Sequence, residues 1–129
     1  MKKFLVIGNP IDHSLSPKLH NYWIKKNNID AIYEKKLLTQ NEIKNLMNEF
    51  KKGKIDGINV TVPFKKKVIP FLDNLSIEAK ATQSVNTIYK EKNKIIGHNT
   101  DIGGFELAIA LCHLGGFGNF VKDKIDLQM

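Results

Sequence analysis

Arginine is missing from this chain: all 20 basic residues are lysine, set against 13 acidic ones for a net charge of +7. Without arginine there is no planar guanidinium to read guanine edges or to clamp a carboxylate with two parallel hydrogen bonds. Sequence-specific nucleic-acid recognition is therefore set aside, and the lysines, scattered among acidic residues and asparagines, read as a solvated surface. Cysteine is nearly missing too. The single Cys112 excludes an internal disulfide and a cysteine-only metal site. Long apolar runs are also lacking. Lys2-Lys3 before Phe4-Leu5-Val6-Ile7 imitates a secretory signal, but Asn9, Pro10 and Asp12 end the run well short of the roughly 7–15 apolar residues a signal needs. No stretch approaches the roughly 20 apolar residues of a membrane span. The expectation is a cytoplasmic protein without a membrane partner.

What is present fits one domain: 129 residues with 42% hydrophobic content can bury one core and not two. Phe4–Ile7 reads as a buried first strand with a tight exit at Gly8-Asn9-Pro10. Ser16-Pro17 reads as a hydroxyl cap followed by a first-turn proline, opening a helix with an apolar stripe of Leu19, Tyr22 and Trp23. Residues 31–38 alternate like a second strand. Thr39-Gln-Asn-Glu42 is a capping box for a helix whose Ile43, Leu46, Met47 and Phe50 fall at i, i+3, i+4 and i+7, with Gly53 as its stop. The strand through Gly57-Ile-Asn-Val-Thr-Val62 follows, with an apolar row of Val60 and Val62 opposite a polar row of Asn59 and Thr61. This βαβαβ order predicts an α/β fold: a single three-layer domain with a mixed, largely parallel sheet flanked by helices. Beyond Lys65 the spacing predicts short helical pieces broken at Pro70 and restarted by a Ser76 cap. Two strand-like runs, 84–89 and 94–96, are then joined by a polar hairpin connection, and Thr100 caps a last helix through Phe105, Leu107, Ala108 and Leu111.

The chemistry gathers at strand and helix ends, where open α/β sheets hold ligands. Asn59, Thr61 and Lys65 bring an amide, a hydroxyl and an ammonium to one strand end. The plain alternative is a buried strand followed by an exposed basic turn of Lys65, Lys66 and Lys67. Ser14 and Ser16 flank a helix mouth whose unpaired N–H groups favour anions, so they can hold a carboxylate without arginine; equally, one caps and the other turns. Asp101 either serves the positive end of the last helix or projects toward Lys65, and both uses stay open. Asp12-His13-Ser14 is not a hydrolase triad, because consecutive residues do not converge as nucleophile, base and orienter, and no G-x-S-x-G elbow is present. His13 and His20 lack a companion ligand cluster and read as packing or hydrogen-bonding residues, so no metal is expected.

Five motifs in fixed order, Gly8-Asn-Pro10, His13-Ser-Leu-Ser-Pro17, Asn59-Val-Thr-Val-Pro-Phe-Lys65, Val85-Asn-Thr87 and Gly97-His-Asn-Thr-Asp-Ile-Gly-Gly-Phe105, carry a resemblance. Over residues 1 to about 111 the chain resembles the substrate-binding half of shikimate dehydrogenase, the NADP-dependent enzyme that interconverts 3-dehydroshikimate and shikimate in aromatic amino-acid biosynthesis. The resemblance implies that Ser14 and Ser16 hold the substrate carboxylate. It implies that Thr61, Asn86 and Asp101 meet the ring hydroxyls, that Asn59 shapes the strand end, and that Lys65 and Asp101 are the catalytic pair. The chemistry is consistent: reducing a ketone leaves negative charge on oxygen, which a nearby ammonium stabilises and protonates.

The resemblance also implies an NADP-binding domain that these 129 residues are not expected to contain. Leu114-Gly-Gly-Phe-Gly-Asn119 is glycine-rich, but no buried strand precedes it, and a dinucleotide fingerprint needs strand, turn and helix together. Residues 1–111 are expected to form the substrate-binding domain and 112–129 an atypical tail, the chain being inactive alone. Ile102 and Gln83-Ser84 stand where the family often has small residues. The alternative is a stand-alone binding or regulatory module that docks on a separate NADP-binding domain. Quinate remains open as a substrate beside shikimate.

Overall fold

The computed structural model describes residues 1–113. Its first half is the expected βαβαβ run: β1 (Lys2–Gly8), α1 (Ser16–Lys26), β2 (Ala31–Leu37), α2 (Ile43–Lys51) and β3 (Gly57–Val60). β4 (Asn74–Leu75), α3 (Ile77–Thr82), β5 (Thr87–Glu91), β6 (Lys94–His98) and α4 (Asp101–His113) complete it. The six strands form one sheet in the order β2-β1-β3-β5-β6-β4. β1 runs parallel to both β2 and β3, and β4 parallel to β6, whereas β5 is antiparallel to β3 and β6. The sheet is mixed, as expected, with its parallel half built by the helical crossovers.

Side-chain alternation on β1 shows how three layers arise. Leu5 and Ile7 enter the main core with Ile43, Leu46, Met47 and Phe50 of α2 and Ala79 of α3. Val6 faces the other way, into a smaller cluster with Tyr33, Ile11 and Ile24 of α1. The α2 stripe is buried as its spacing predicts, and Gly53 after it has φ +80°, a left-handed turn that glycine adopts at no steric cost. Among the described residues no helix is long and apolar enough to cross a membrane.

Several local expectations change. Ser16 does not cap α1: Leu15 occupies that position, and the Ser14 hydroxyl instead accepts from the Ser16 N–H at 3.3 Å. Tyr22 is 59% exposed, with the Lys26 ammonium 5.9 Å above its ring, so the half-buried side of α1 is Leu19 and Trp23 without it. β3 ends at Val60, and Val62 is 66% exposed, because the chain leaves the ladder after the Thr61 N–H reaches the Ile7 carbonyl and closes a turn from Phe64 N–H to Thr61 O. β4 lies in a stretch expected to be helical; only Ile69–Phe71 and α3 are, the latter capped as expected by Ser76, whose hydroxyl accepts from Ala79 N–H. β5 starts later than expected. It turns into β6 through Lys92 and Asn93, both at positive φ (50° and 63°), the conformation that matches strand twist in a two-residue hairpin. The Asn99 carboxamide, and not Thr100, opens α4: its oxygen accepts from the N–H groups of Asp101 (2.8 Å) and Ile102 (3.4 Å). Phe105 of α4 is 67% exposed, contrary to its expected place in an apolar stripe. The glycine-rich segment 114–119 and the rest of the tail beyond His113 lie outside the described residues.

Candidate functional site

A pocket of about 400 Å³, within the range of small-molecule sites, opens where β1, β3 and the starts of α1 and α4 converge. Ser14 and Ser16 line it from the mouth of α1, and Asn59, Thr61 and Lys65 from the end of β3 and the turn beyond. Asn86, just before β5, and Asp101, the first residue of α4, line the opposite side. All seven residues singled out from the sequence therefore face one space. His13 and His20 line it as well, His13 from an exposed position.

Lys65 and Asp101 meet directly, with Nζ 2.9 Å from Oδ2. Their side chains are 33% and 48% exposed, so solvent screening limits the pair to about 1 kcal/mol or less. The meeting is thus built by the surrounding frame more than by attraction. Asp101 Oδ1 accepts from Asn86 Nδ2 at 3.1 Å, and the Asp101 backbone N–H is held by Asn99, which is 4% exposed and donates to the Ser84 carbonyl. Lys65 is tied to the same region through its carbonyl, which accepts from Val85 N–H at 2.8 Å.

Asn86 organises the center. Its Nδ2 donates to Thr100 Oγ1 (2.8 Å) and Asp101 Oδ1, while its Oδ1 accepts from Thr100 N–H (3.0 Å) and Thr87 Oγ1 (3.0 Å). Both donors and both lone pairs of the amide are engaged. Asn59 Nδ2 donates to the Asn86 carbonyl and to Thr87 Oγ1, each at 3.3 Å, and its Oδ1 accepts from the Tyr33 phenol at 2.7 Å. Thr61 is set by close packing: a Cβ on Gly8 would fall 2.5 Å from Thr61 Cγ2, so only glycine at position 8 lets that side chain lie across β1.

Three participants have no expected role in the site, Thr100 being read from the sequence only as a helix cap. Thr87 and Thr100 are hydroxyl partners of Asn86, and the adjacency of Thr87 to Asn86 within Val85-Asn-Thr87 was the available signal. Tyr33, buried on β2, reads from sequence only as strand core. Its phenol is pushed up from 10.0 to about 12, mainly by burial, with a Ser16 side-chain hydrogen bond acting in the opposite direction. Among the described residues no cluster of three or more histidine, cysteine or acidic side chains is arranged to hold a metal.

Residues 6–88 match the family model of the shikimate dehydrogenase substrate binding domain, a span that contains Ser14, Ser16, Asn59, Thr61, Lys65 and Asn86. The chain is similar to shikimate dehydrogenase (NADP(+)) of Pelagibacter ubique, 68% identical over 108 residues that cover 84% of this chain and 41% of that protein. It is similar to the enzyme of the same name from Desulfitobacterium hafniense, 44% identical over 105 residues covering 81% and 38%. Among solved structures, shikimate dehydrogenase 1 from Peptoclostridium difficile aligns with a TM-score of 0.79 at 34% identity, over 88% of this chain and 43% of that one. Shikimate 5-dehydrogenase from Listeria monocytogenes, in complex with shikimate and NAD, aligns with a TM-score of 0.80 at 32% identity, over 85% and 38%. The chain spans about two fifths of the length of these relatives, in each case aligned over most of its own length. On the family match over residues 6–88, with the fold in agreement, this chain belongs to the shikimate dehydrogenase substrate-binding domain family.

Proposed function

We propose that the pocket binds shikimate or 3-dehydroshikimate and carries the proton-transfer half of the dehydrogenase reaction. The observation that supports this most is the Lys65–Asp101 contact at 2.9 Å in the same 400 Å³ space as Ser14 and Ser16. In this reading the two serine hydroxyls donate to the ring carboxylate. Thr61 and Asp101 meet ring hydroxyls, with Asn86 exchanging its bond to Asp101 for one of them, and Asn59 fixes the strand end. Lys65 stabilises the charge that grows on the ring oxygen as the ketone is reduced, and then protonates it; Asp101 aims the ammonium.

The described residues do not fit a dinucleotide. β1 leaves through Gly8-Asn9-Pro10, and the next helix starts only at Ser16, so the strand, glycine-rich turn and helix that cradle a pyrophosphate are not brought together. We assign NADP to a separate cofactor domain. Phe105 and Ile109, one turn apart on α4 and 67% and 45% exposed, support docking of that helix against it. The same feature suits the alternative of a stand-alone module that recruits such a domain. The proposed compartment is the cytoplasm. The test is a chimera in which this chain replaces the matching part of the Pelagibacter relative. NADPH-dependent reduction of 3-dehydroshikimate by the chimera supports the reading, and a folded chimera without activity contradicts it.

A further inference from the structure

Tyr33 is not part of the pocket lining, yet it touches both of its walls. It sits on β2 opposite Phe4 of β1, in the register that places Val6 opposite Asn59 of β3. Partners across a sheet share a face, so Tyr33, Val6 and Asn59 lie on the same side, and the phenol reaches over β1 to Asn59 Oδ1 at 2.7 Å. The Asn86 carbonyl can only accept, which turns Nδ2 of Asn59 toward it and leaves Oδ1 to the phenol proton. Tyr33 keeps that proton throughout the neutral range, since burial pushes its pKa up to about 12. On its other side the Tyr33 ring stacks on His20, with centroids 4.2 Å apart and planes 6° from parallel. His20 Nδ1 lies 2.8 Å from the Ser16 carbonyl, which fixes the proton on that nitrogen.

We propose that Tyr33, with His20, is a positioning residue that sets the distance between the serine edge of the pocket and the end of β3, by holding Asn59 through its hydroxyl and the first turn of α1 through its ring. This rests on the pocket being a shikimate site, as proposed above, but its mechanical part does not. With the phenol proton gone, Asn59 Oδ1 has no donor, and only the two 3.3 Å bonds of Nδ2, to the Asn86 carbonyl and Thr87 Oγ1, still hold the amide. With the His20 bond gone, the first turn of α1 loses its tie to the ring, while Asn59 keeps its own and Asn21 still pairs with the Tyr33 backbone one turn further on.

The experiment is a shikimate titration of the 129-residue chain, followed by 15N-resolved NMR, for wild type, Tyr33→Phe, His20→Phe and Ile43→Val. Tyr33→Phe is expected to shift the Asn59 side-chain amide resonances and raise the shikimate dissociation constant about fivefold or more. His20→Phe is expected to shift the Ser16 amide, spare Asn59 and weaken binding in the same direction. Ile43→Val, a core change away from the pocket, is the control for general destabilisation and is expected to leave affinity unchanged. Wild-type affinity in Tyr33→Phe with unmoved Asn59 resonances overturns the proposal. If Tyr33→Phe does not fold, His20→Phe decides alone, and an unmoved Ser16 amide with unchanged affinity overturns it. Absence of shikimate binding by the wild type refutes the dehydrogenase reading instead; the Asn59 and Ser16 resonances of the free chains then still decide the brace.

Discussion

Lys65 and Asp101 stand 36 positions apart in the chain, yet their charged atoms lie 2.9 Å from each other. Lys65 follows the turn that ends β3, Asp101 begins α4, and the antiparallel pair β5 and β6 runs between them and brings the second to the first. If this pair moves the proton, Lys65→Ala in the chimera lowers kcat by about 10²–10⁴-fold, the usual worth of a positioned acid or base. Steady-state kinetics at saturating NADPH check it, and a loss below about threefold removes Lys65 from the chemistry.

The frame that holds Asp101 makes a separate prediction. Asn99 accepts from two N–H groups at the start of α4 and is nearly fully buried. Asn99→Ala is expected to destabilise the chain by about 1–2 kcal/mol, as loss of a helix cap does, and to weaken shikimate binding as Asp101 loses its anchor. Urea unfolding together with a ligand titration reads both effects.

Gly8 bears most closely on Thr61. An added methyl meets Thr61 Cγ2, Ile11 Cδ1 and the Val62 carbonyl within 3.1 Å. Gly8→Ala is expected to cost about 1–3 kcal/mol through overpacking and to displace Thr61 from the pocket. Partial relief of the affinity loss in the double variant Gly8→Ala, Thr61→Ser is the distinguishing result, because serine lacks the clashing methyl.

Tyr33 gives the chain a specific alkaline sensitivity. Its pKa rises from 10.0 unfolded to about 12 folded, so above pH 10 the unfolded chain has released a proton that the folded one keeps. Stability from this group is whole below pH 10 and is lost as pH rises toward 12, a loss on the order of 1 kcal/mol by pH 11. Urea midpoints at pH 9 and pH 11 are expected to separate more for the wild type than for Tyr33→Phe, which keeps every other ionisable group, Tyr22 and Tyr89 included, and lacks only the buried phenol.

Much of this arrangement is legible in the residues themselves. The stripe from Ile43 to Phe50 and the alternation around Asn59 specify α2 and the place of β3 through local period, whereas the membership of the pocket is legible only through the resemblance that the five ordered motifs carry. What the sequence hides depends on register across strands. Tyr33 looks like core until the β2-β1-β3 pairing places it beside Asn59. Capping differs from expectation at both helix mouths for a similar reason. Ser16 and Thr100 have suitable hydroxyls, but Ser14 reaches the Ser16 N–H, and the hydroxyl of Thr100 is taken up by Asn86 while Asn99 reaches the start of α4. β4 is two residues long and exists only because β6 offers an edge, which no local pattern announces.

Binding of shikimate to the 129-residue chain is the measurement closest to the central claim. The pocket account predicts saturable binding, weak and near millimolar for a site open on one side, with NMR shifts concentrated at Ser14, Ser16, Thr61, Lys65, Asn86 and Asp101 and abolished by Ser14→Ala, Ser16→Ala together. No saturable binding, or shifts confined to surfaces away from these residues, contradicts it.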